Sequence, residues 1–261
     1  MAVKFGYCTG SGNGQRFKDA GWEFVEENIQ GFLQGTLPEA QWTGPERLKA
    51  CPLPIPAGNS MVPATHKITG PAVDADALRA YMVNVMLRAK QVGMKTLVFG
   101  SGGARNYPDG FDRNKARTQI VTFLQMAATL AEQAGVTIVC EPLNKKESNI
   151  INTVAEGMEY VKELNHPNFQ CLVDSYHFWI DKEPLKNLEA AMPWIKHVHL
   201  ADEHGRTSPG LSGQADYKPF FKVLKSAGYA GGISVEATDG GKIAGREAEI
   251  LKYVKDNWEA A

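Results

Sequence analysis

A single α/β domain, closed as a (β/α)8 TIM barrel over residues 1–261, is the fold this chain predicts, and three observations carry it. Short runs rich in Val, Ile or Leu alternate with amphipathic stretches, the pattern of strands buried on both faces and separated by crossover helices. Eight such runs occur, and eight βα units in 261 residues suit a closed barrel better than an open doubly wound sheet. The last four runs also end in Glu, Asp or His, and the C-terminal rim of a barrel is where such distant residues can meet.

In order, the runs are residues 3–8, 22–25, a weak one at 53–55, 96–99, 136–142, 170–174, 195–200 and 232–237. The first leads straight from Met1 into a strand, with neither an h-region nor a small-residue cleavage pattern, so no secretory leader is expected. Helical periodicity is clearest over residues 74–92, 114–134, 153–164, 217–227 and 242–258. Thr153-Val154-Ala155-Glu156 spells a capping box at the head of the third of these. The irregular stretches 52–71, rich in Pro and Gly, and 100–110 are expected to be lids or binding loops on the rim.

Composition narrows the function classes. With 43% hydrophobic and 22% charged residues the chain reads as a soluble globular protein, and no segment is apolar over the length a bilayer requires. A formal net charge of -1 argues against a broad nucleic-acid surface, which needs clustered Lys and Arg. Cys8, Cys51, Cys140 and Cys171 lack C-x-x-C spacing and read as buried free thiols, which points to a reducing, cytoplasmic location.

The chemistry gathers at the ends of the last four runs: Glu141 with Glu147, Asp174 with His177, His199 with Arg206, and Glu236, with Asn144 between the first two. A lone acid or imidazole ending a buried strand costs several kcal/mol (~3 or more) unless it is paired or ligated, so four of them invite a metal. Two Glu, one Asp and one His form an oxygen-rich set that suits Mn2+, Mg2+ or Co2+ better than a structural zinc, which favours thiolates. Strand parity agrees: His197 shares a face with His199, and Ser234 with Glu236. A substrate with adjacent oxygens could complete the coordination, and the cation would stabilise an enediolate while the two glutamates serve as base and acid.

The segment from Glu141-Pro142-Leu143-Asn144 through Glu147 to Thr153 resembles the glutamate-strand motif of ketose 3-epimerases in the xylose isomerase-like barrel superfamily. Asp174-Ser175-Tyr176-His177 is similar to its D-x-x-H motif, and His197-Val198-His199 with Arg206, Pro209-Gly210 and Gly213 to its H-x-H…R…P-G-x-G stretch. The resemblance implies that Glu141, Asp174, His199 and Glu236 hold one divalent cation, with Mn2+ favoured and Mg2+, Co2+ or Zn2+ as alternatives. It assigns proton transfer to Glu141 and Glu236, and contact with substrate hydroxyls to Glu147, His177 and Arg206. It further implies an isomerase or epimerase acting on a small ketose-like sugar or polyol, assembled as a homodimer or homotetramer.

Rival readings remain. The same site could dehydrate a keto-inositol by losing a hydroxyl after the shared enediolate. An apurinic endonuclease on this fold would need more histidines than the six present. A sugar sensor without chemistry would have no need for both glutamates. Plainer readings also apply to single residues. The strand-end acids could be ordinary salt-bridge partners, and Glu147 and His177 could be local caps. Asn144 reads as a loop brace, and His197 as a buried histidine that orients a ligand. The Gly-rich loops at 10–14 and 100–105 could cradle a phosphate with Arg105, though such loops are ordinary in barrels. Glu26, His66 and Trp179 are candidate rim residues that read first as packing or surface.

Overall fold

Apolar runs buried on both faces form the sheet. In the computed structural model, which describes residues 2–238 and 243–261, eight parallel strands pair in chain order and the last returns to the first. They are β1 Lys4–Cys8, β2 Phe24–Asn28, β3 Ala57–Asn59, β4 Thr96–Phe99, β5 Thr137–Cys140, β6 Phe169–Asp174, β7 Ile195–Leu200 and β8 Gly232–Val235. The chain is therefore a closed (β/α)8 barrel, as its runs predict.

Two strands depart from the sequence expectation. β2 begins after Trp22, whose indole instead donates to Glu247 O (3.0 Å), and runs on through Glu26 and Glu27. Those acids look like the end of a run, yet inside the barrel Glu26 meets two imidazoles, and Glu27 is paired with Arg47. The third strand lies at Ala57–Asn59 rather than at 53–55. Pro52, Pro54 and Pro56 have no N–H to give a ladder, so Leu53 and Ile55 are buried as packing residues and pairing starts after Pro56.

The long helices follow their periodicity and their caps. Ala75–Val92 and Arg113–Ala134 are capped by Asp74 and Asp112, and both end on a glycine with positive φ, Gly93 (76°) and Gly135 (67°). In the Val154–Leu164 helix Thr153 accepts from Glu156 N, while Glu156 accepts from Asn152 N. Lys218–Ser226 matches its predicted stretch, and Glu247–Ala260 covers most of the last one. Lys242, where that last helix was expected to start, lies outside the described residues. Among the described residues no helix is long and apolar enough to cross a membrane.

Strand alternation splits the core in two. Leu97, Phe99, Ile138, Cys140, Cys171 and Val173 pack against the helices, whereas Val98, Val139 and Leu172 form a separate cluster that fills the barrel. Phe24 completes this plug. Its ring lies where a side chain on Gly6 would go, since a Cβ there would fall 2.2 Å from Phe24 Cε2. The four cysteines are free thiols, but only Cys140 and Cys171 are buried; Cys8 and Cys51 are half-buried, contrary to expectation. Gly6→Ala is expected to destabilise the fold by about 1–3 kcal/mol through overpacking, read as a lower urea midpoint. An unchanged midpoint would mean that Phe24 can move at no cost.

Candidate functional site

In a strand every second residue faces inward, so each plug residue has a rim residue two positions on. This gives the pairs Phe24–Glu26, Val139–Glu141, Leu172–Asp174, His197–His199 and Ser234–Glu236. Register aligns them across strands: Asp174 stands beside His199, and His199 beside Ser234. Just past the strand ends, Glu141 N donates to Phe99 O and Glu236 N to Leu200 O, which continues the ladder far enough to aim both side chains inward.

One donor atom from each of Glu141, Asp174, His199 and Glu236 lies within 4.8 Å of the others. His199 Nδ1 is 3.2 Å from Glu141 Oε1, 3.4 Å from Glu236 Oε2 and 4.0 Å from Asp174 Oδ2. The other ring nitrogen, Nε2, is 2.9 Å from Glu26 Oε1, and the second oxygen of Glu26 is 2.7 Å from His197 Nε2. Once the ring gives up its second proton to a cation, a carboxylate on Nε2 favours the tautomer whose Nδ1 lone pair faces the three acids.

Three observations fit this cluster to a divalent cation. Asp174 Oδ1 caps the short Ser175–Ile180 helix through Tyr176 N (2.7 Å) and His177 N (3.4 Å), while buried Oδ2 has no hydrogen-bond partner among the described residues. A Cβ on Gly100 would lie 2.1 Å from Glu141 Oε2, so this carboxylate sits in a cradle only glycine leaves open. Charge also favours a cation: Asp174, Glu236 and Glu147 share the single guanidinium of Arg206, at 3.7, 2.6 and 3.4 Å. The donor set of three carboxylates and one imidazole belongs to Mn2+, Mg2+ or Co2+ chemistry.

The two glutamates titrate apart. Burial and the nearby Glu236 charge push the Glu141 carboxyl up. Burial also acts on Glu236, but the His199 imidazolium and Arg206 outweigh it and hold that carboxyl down at about 2. For Asp174 burial wins over Arg206 and raises it. Burial disfavours the His199 cation, yet the Glu26 and Glu236 charges raise it well above the usual imidazole range.

Around the cluster stand the other sequence-predicted residues. His177 Nδ1 accepts from Asn144 N (3.2 Å), so Nε2 carries the proton; that atom is buried with no partner among the described residues. Burial lowers the His177 pKa, which keeps the ring neutral and Nε2 a hydrogen-bond donor. Asn144 is buried and also donates to Glu147 Oε1 (3.0 Å), a brace that holds the loop after β5 in shape. Arg206 adopts a positive φ of 48° and lies over the Tyr176 ring at 5.0 Å.

Other residues that the sequence points to fall elsewhere. Arg105 is fully buried, and its guanidinium donates to Phe99 O, Glu141 O and Ile151 O, so it braces the barrel wall and offers nothing to a phosphate. Trp179 packs on Tyr217 (4.9 Å) and His66 on Tyr81 (5.0 Å), both as packing residues. Glu26 exceeds the packing role read for it, because it anchors His199. Asn59, whose Nδ2 donates to Glu236 Oε1 (2.8 Å), was not singled out at all. Its signal was hidden in the misplaced third strand. A cavity of about 600 Å3 opens over the rim, lined by Cys8, Asn28, Asn59, Arg206 and Glu236 among others.

The family described as xylose isomerase-like TIM barrel matches residues 15–254, and the chain belongs to it. Among its relatives is an L-ribulose 3-epimerase from Methylomonas sp. (strain DH-1), 34% identical over 132 residues, or 50% of this chain and 45% of that protein. A ketose 3-epimerase from Arthrobacter globiformis is 29% identical over 133 residues, again 50% and 45% of the two chains. The chain thus spans a little under half the length of these curated relatives. The crystal structure of D-psicose 3-epimerase with D-tagatose from Clostridium cellulolyticum H10 superposes with a TM-score of 0.84 at 18% identity, over 98% of this chain and 99% of that one. At that identity the likeness is one of fold.

A ligand histidine released from its carboxylate anchor binds metal more weakly, typically ~10–100-fold. Glu26→Gln is therefore expected to weaken Mn2+ binding by that factor in calorimetric titration, and wild-type affinity in this variant would show that Glu26 does not orient His199. Because a cation must displace the proton that the raised His199 retains, Mn2+ affinity should rise with pH in the same titrations. An affinity that is flat or falls as pH rises would contradict binding at these donors.

Proposed function

We propose that this chain is a divalent-metal-dependent isomerase or epimerase of a small ketose-like sugar, working by proton transfer next to a carbonyl. The observation that carries the reading is the cluster of Glu141, Asp174, His199 and Glu236, whose donor atoms lie within 4.8 Å of one another, with Glu141 and Glu236 at 3.2 and 3.4 Å from His199 Nδ1. Two carboxyl groups beside one proposed nitrogen ligand are placed to serve as base and acid on a substrate bound there. The named activities of the curated relatives support the same class. The proposed unit is one domain over residues 1–261, working as a homodimer or homotetramer.

In this reading Glu141, Asp174, His199 and Glu236 would hold the cation, with Mn2+ favoured. When bound, the cation supplies Lewis-acid stabilisation of the negative charge that develops on the substrate oxygens. Glu236, held ionised, takes the proton from the carbon next to the carbonyl. Glu141, whose carboxyl keeps its proton more readily, returns one from the other side, which inverts that carbon; return to the neighbouring carbon gives isomerisation instead. His177 offers Nε2–H to a substrate oxygen. Arg206, fixed over Tyr176 and tied through its carbonyl to Thr238 N (2.9 Å), offers its guanidinium to a hydroxyl or carbonyl, with Glu147 beside it as acceptor. The polar cavity lining suits a hydroxylated ligand.

The test is exchange of carbon-bound hydrogen with deuterated water, followed by NMR over ketoses, aldoses and keto-inositols with Mn2+ present. Exchange is expected with a ketose, lost on chelation and restored by Mn2+, and the product identifies epimerisation, isomerisation or dehydration. Glu236→Gln should lower the exchange rate by roughly 10²–10⁴ while the circular dichroism stays native. Exchange at the wild-type rate in this variant, or exchange indifferent to chelation, would sink the mechanism.

A further inference from the structure

His199 belongs to two ligand clusters. One is the acidic set described above; the other joins Cys8, Glu26 and His199, whose donor atoms also lie within 4.8 Å of one another. Cys8 ends β1 and Glu26 lies near the end of β2, paired in register with it, so adjacent strands present both to the same imidazole. Cys8 is half-buried and lines the rim cavity, which gives an ion a route in. We propose that Cys8, Glu26 and His199 form a second metal site, selective for a thiophilic cation such as Zn2+ or Cd2+, that competes with the acidic site for one imidazole.

The donor chemistry separates the two sites. One thiolate, one carboxylate and one imidazole form a three-ligand set that suits zinc-type ions and leaves a position open toward the cavity. On binding, the Cys8 thiol releases its proton to solvent as the sulfur–metal bond forms, and no oxidation occurs.

A neutral imidazole has one lone pair. With Nε2–H on Glu26 the lone pair is at Nδ1 and serves the acidic cluster. If Nε2 takes the thiophilic ion, the proton moves to Nδ1 and donates to Glu141 Oε1, 3.2 Å away, and the acidic site loses its nitrogen ligand. The sites therefore exclude each other, and Zn2+ acts as an inhibitor by capturing the other tautomer. This exclusion rests on the proposed reading of the acidic site, but the Cys8 site does not.

The test titrates the metal-free protein with Cd2+ and follows the ultraviolet charge-transfer absorption that only thiolate coordination gives. One equivalent should bind with the band in the wild type and without it in Cys8→Ser, and Cd2+ should weaken Mn2+ binding tenfold or more in the wild type but far less in Cys8→Ser. A band absent from the wild type, or kept in Cys8→Ser, would overturn the site. A band that appears while Mn2+ affinity stays unchanged would overturn the exclusion. If Mn2+ does not bind in any variant while the band behaves as expected, the acidic-site reading fails and the Cys8 site stands.

Discussion

The hydrogen bond between Glu26 and His199 Nε2 governs the rim, because it decides which nitrogen of one buried ring faces the three acids. His199 is completely buried, so its orientation depends on partners rather than on solvent. Glu26 is held in turn by His197 one layer below, and the ionised Glu26 carboxylate is kept well below the usual range by both imidazoles against the opposing effect of burial. A buried carboxylate would be costly alone; between two histidines it becomes a fixed negative pole. The chain of contacts thus runs from the barrel plug, through His197 and Glu26, to the lone pair that faces Glu141, Asp174 and Glu236.

That constraint explains how one rim tolerates so many acids. Glu26 is hydrogen-bonded to two imidazoles and Glu236 is paired with Arg206 and His199, while Asp174 keeps an oxygen without a hydrogen-bond partner among the described residues. Glu141 has the least compensation, and its raised carboxyl records the deficit. The imbalance is local and points inward, where a divalent cation would offset it. Arg206 holds a backbone conformation that costs a non-glycine residue of order 1 kcal/mol, and strain of this kind persists only where the surroundings impose it. The ion pair with Glu236, the Tyr176 face and the Thr238 hydrogen bond supply that restraint.

Much of this arrangement was legible in the sequence because parallel strands print their burial on the chain. The runs around β4 and β7 coincide with their strands, and the acids and histidine at the ends of the last four runs meet as expected. What escaped has physical causes. Glu26 was hidden because a charge inside a strand looks like the end of one, and the histidines that make it tolerable lie 171 and 173 residues away. Asn59 was hidden because Ala57-Gly58-Asn59 has no β-branched residue, and Gly58 is required there by the close approach of Ile29, whose Cγ1 would lie 2.7 Å from a Cβ. Arg105 looked like a phosphate reader because nothing in a Gly-rich loop reveals that a guanidinium will be fully enclosed by three carbonyls.

The division of labour along each strand separates what the fold must keep from what a substrate can change. Plug residues such as Phe24, Val139 and Leu172 lie two positions below Glu26, Glu141 and Asp174, so any shift in barrel packing would move the carboxylates directly above it. The cavity lining follows a different rule. Asn28, Asn59 and Arg206 stand at strand ends or on loops, above the plug and not within it. On the proposed function, proton transfer is tied to the rigid part of the molecule and recognition to its periphery. A common acid and imidazole cluster can on this basis persist while the ligand that meets it differs in length and hydroxyl pattern.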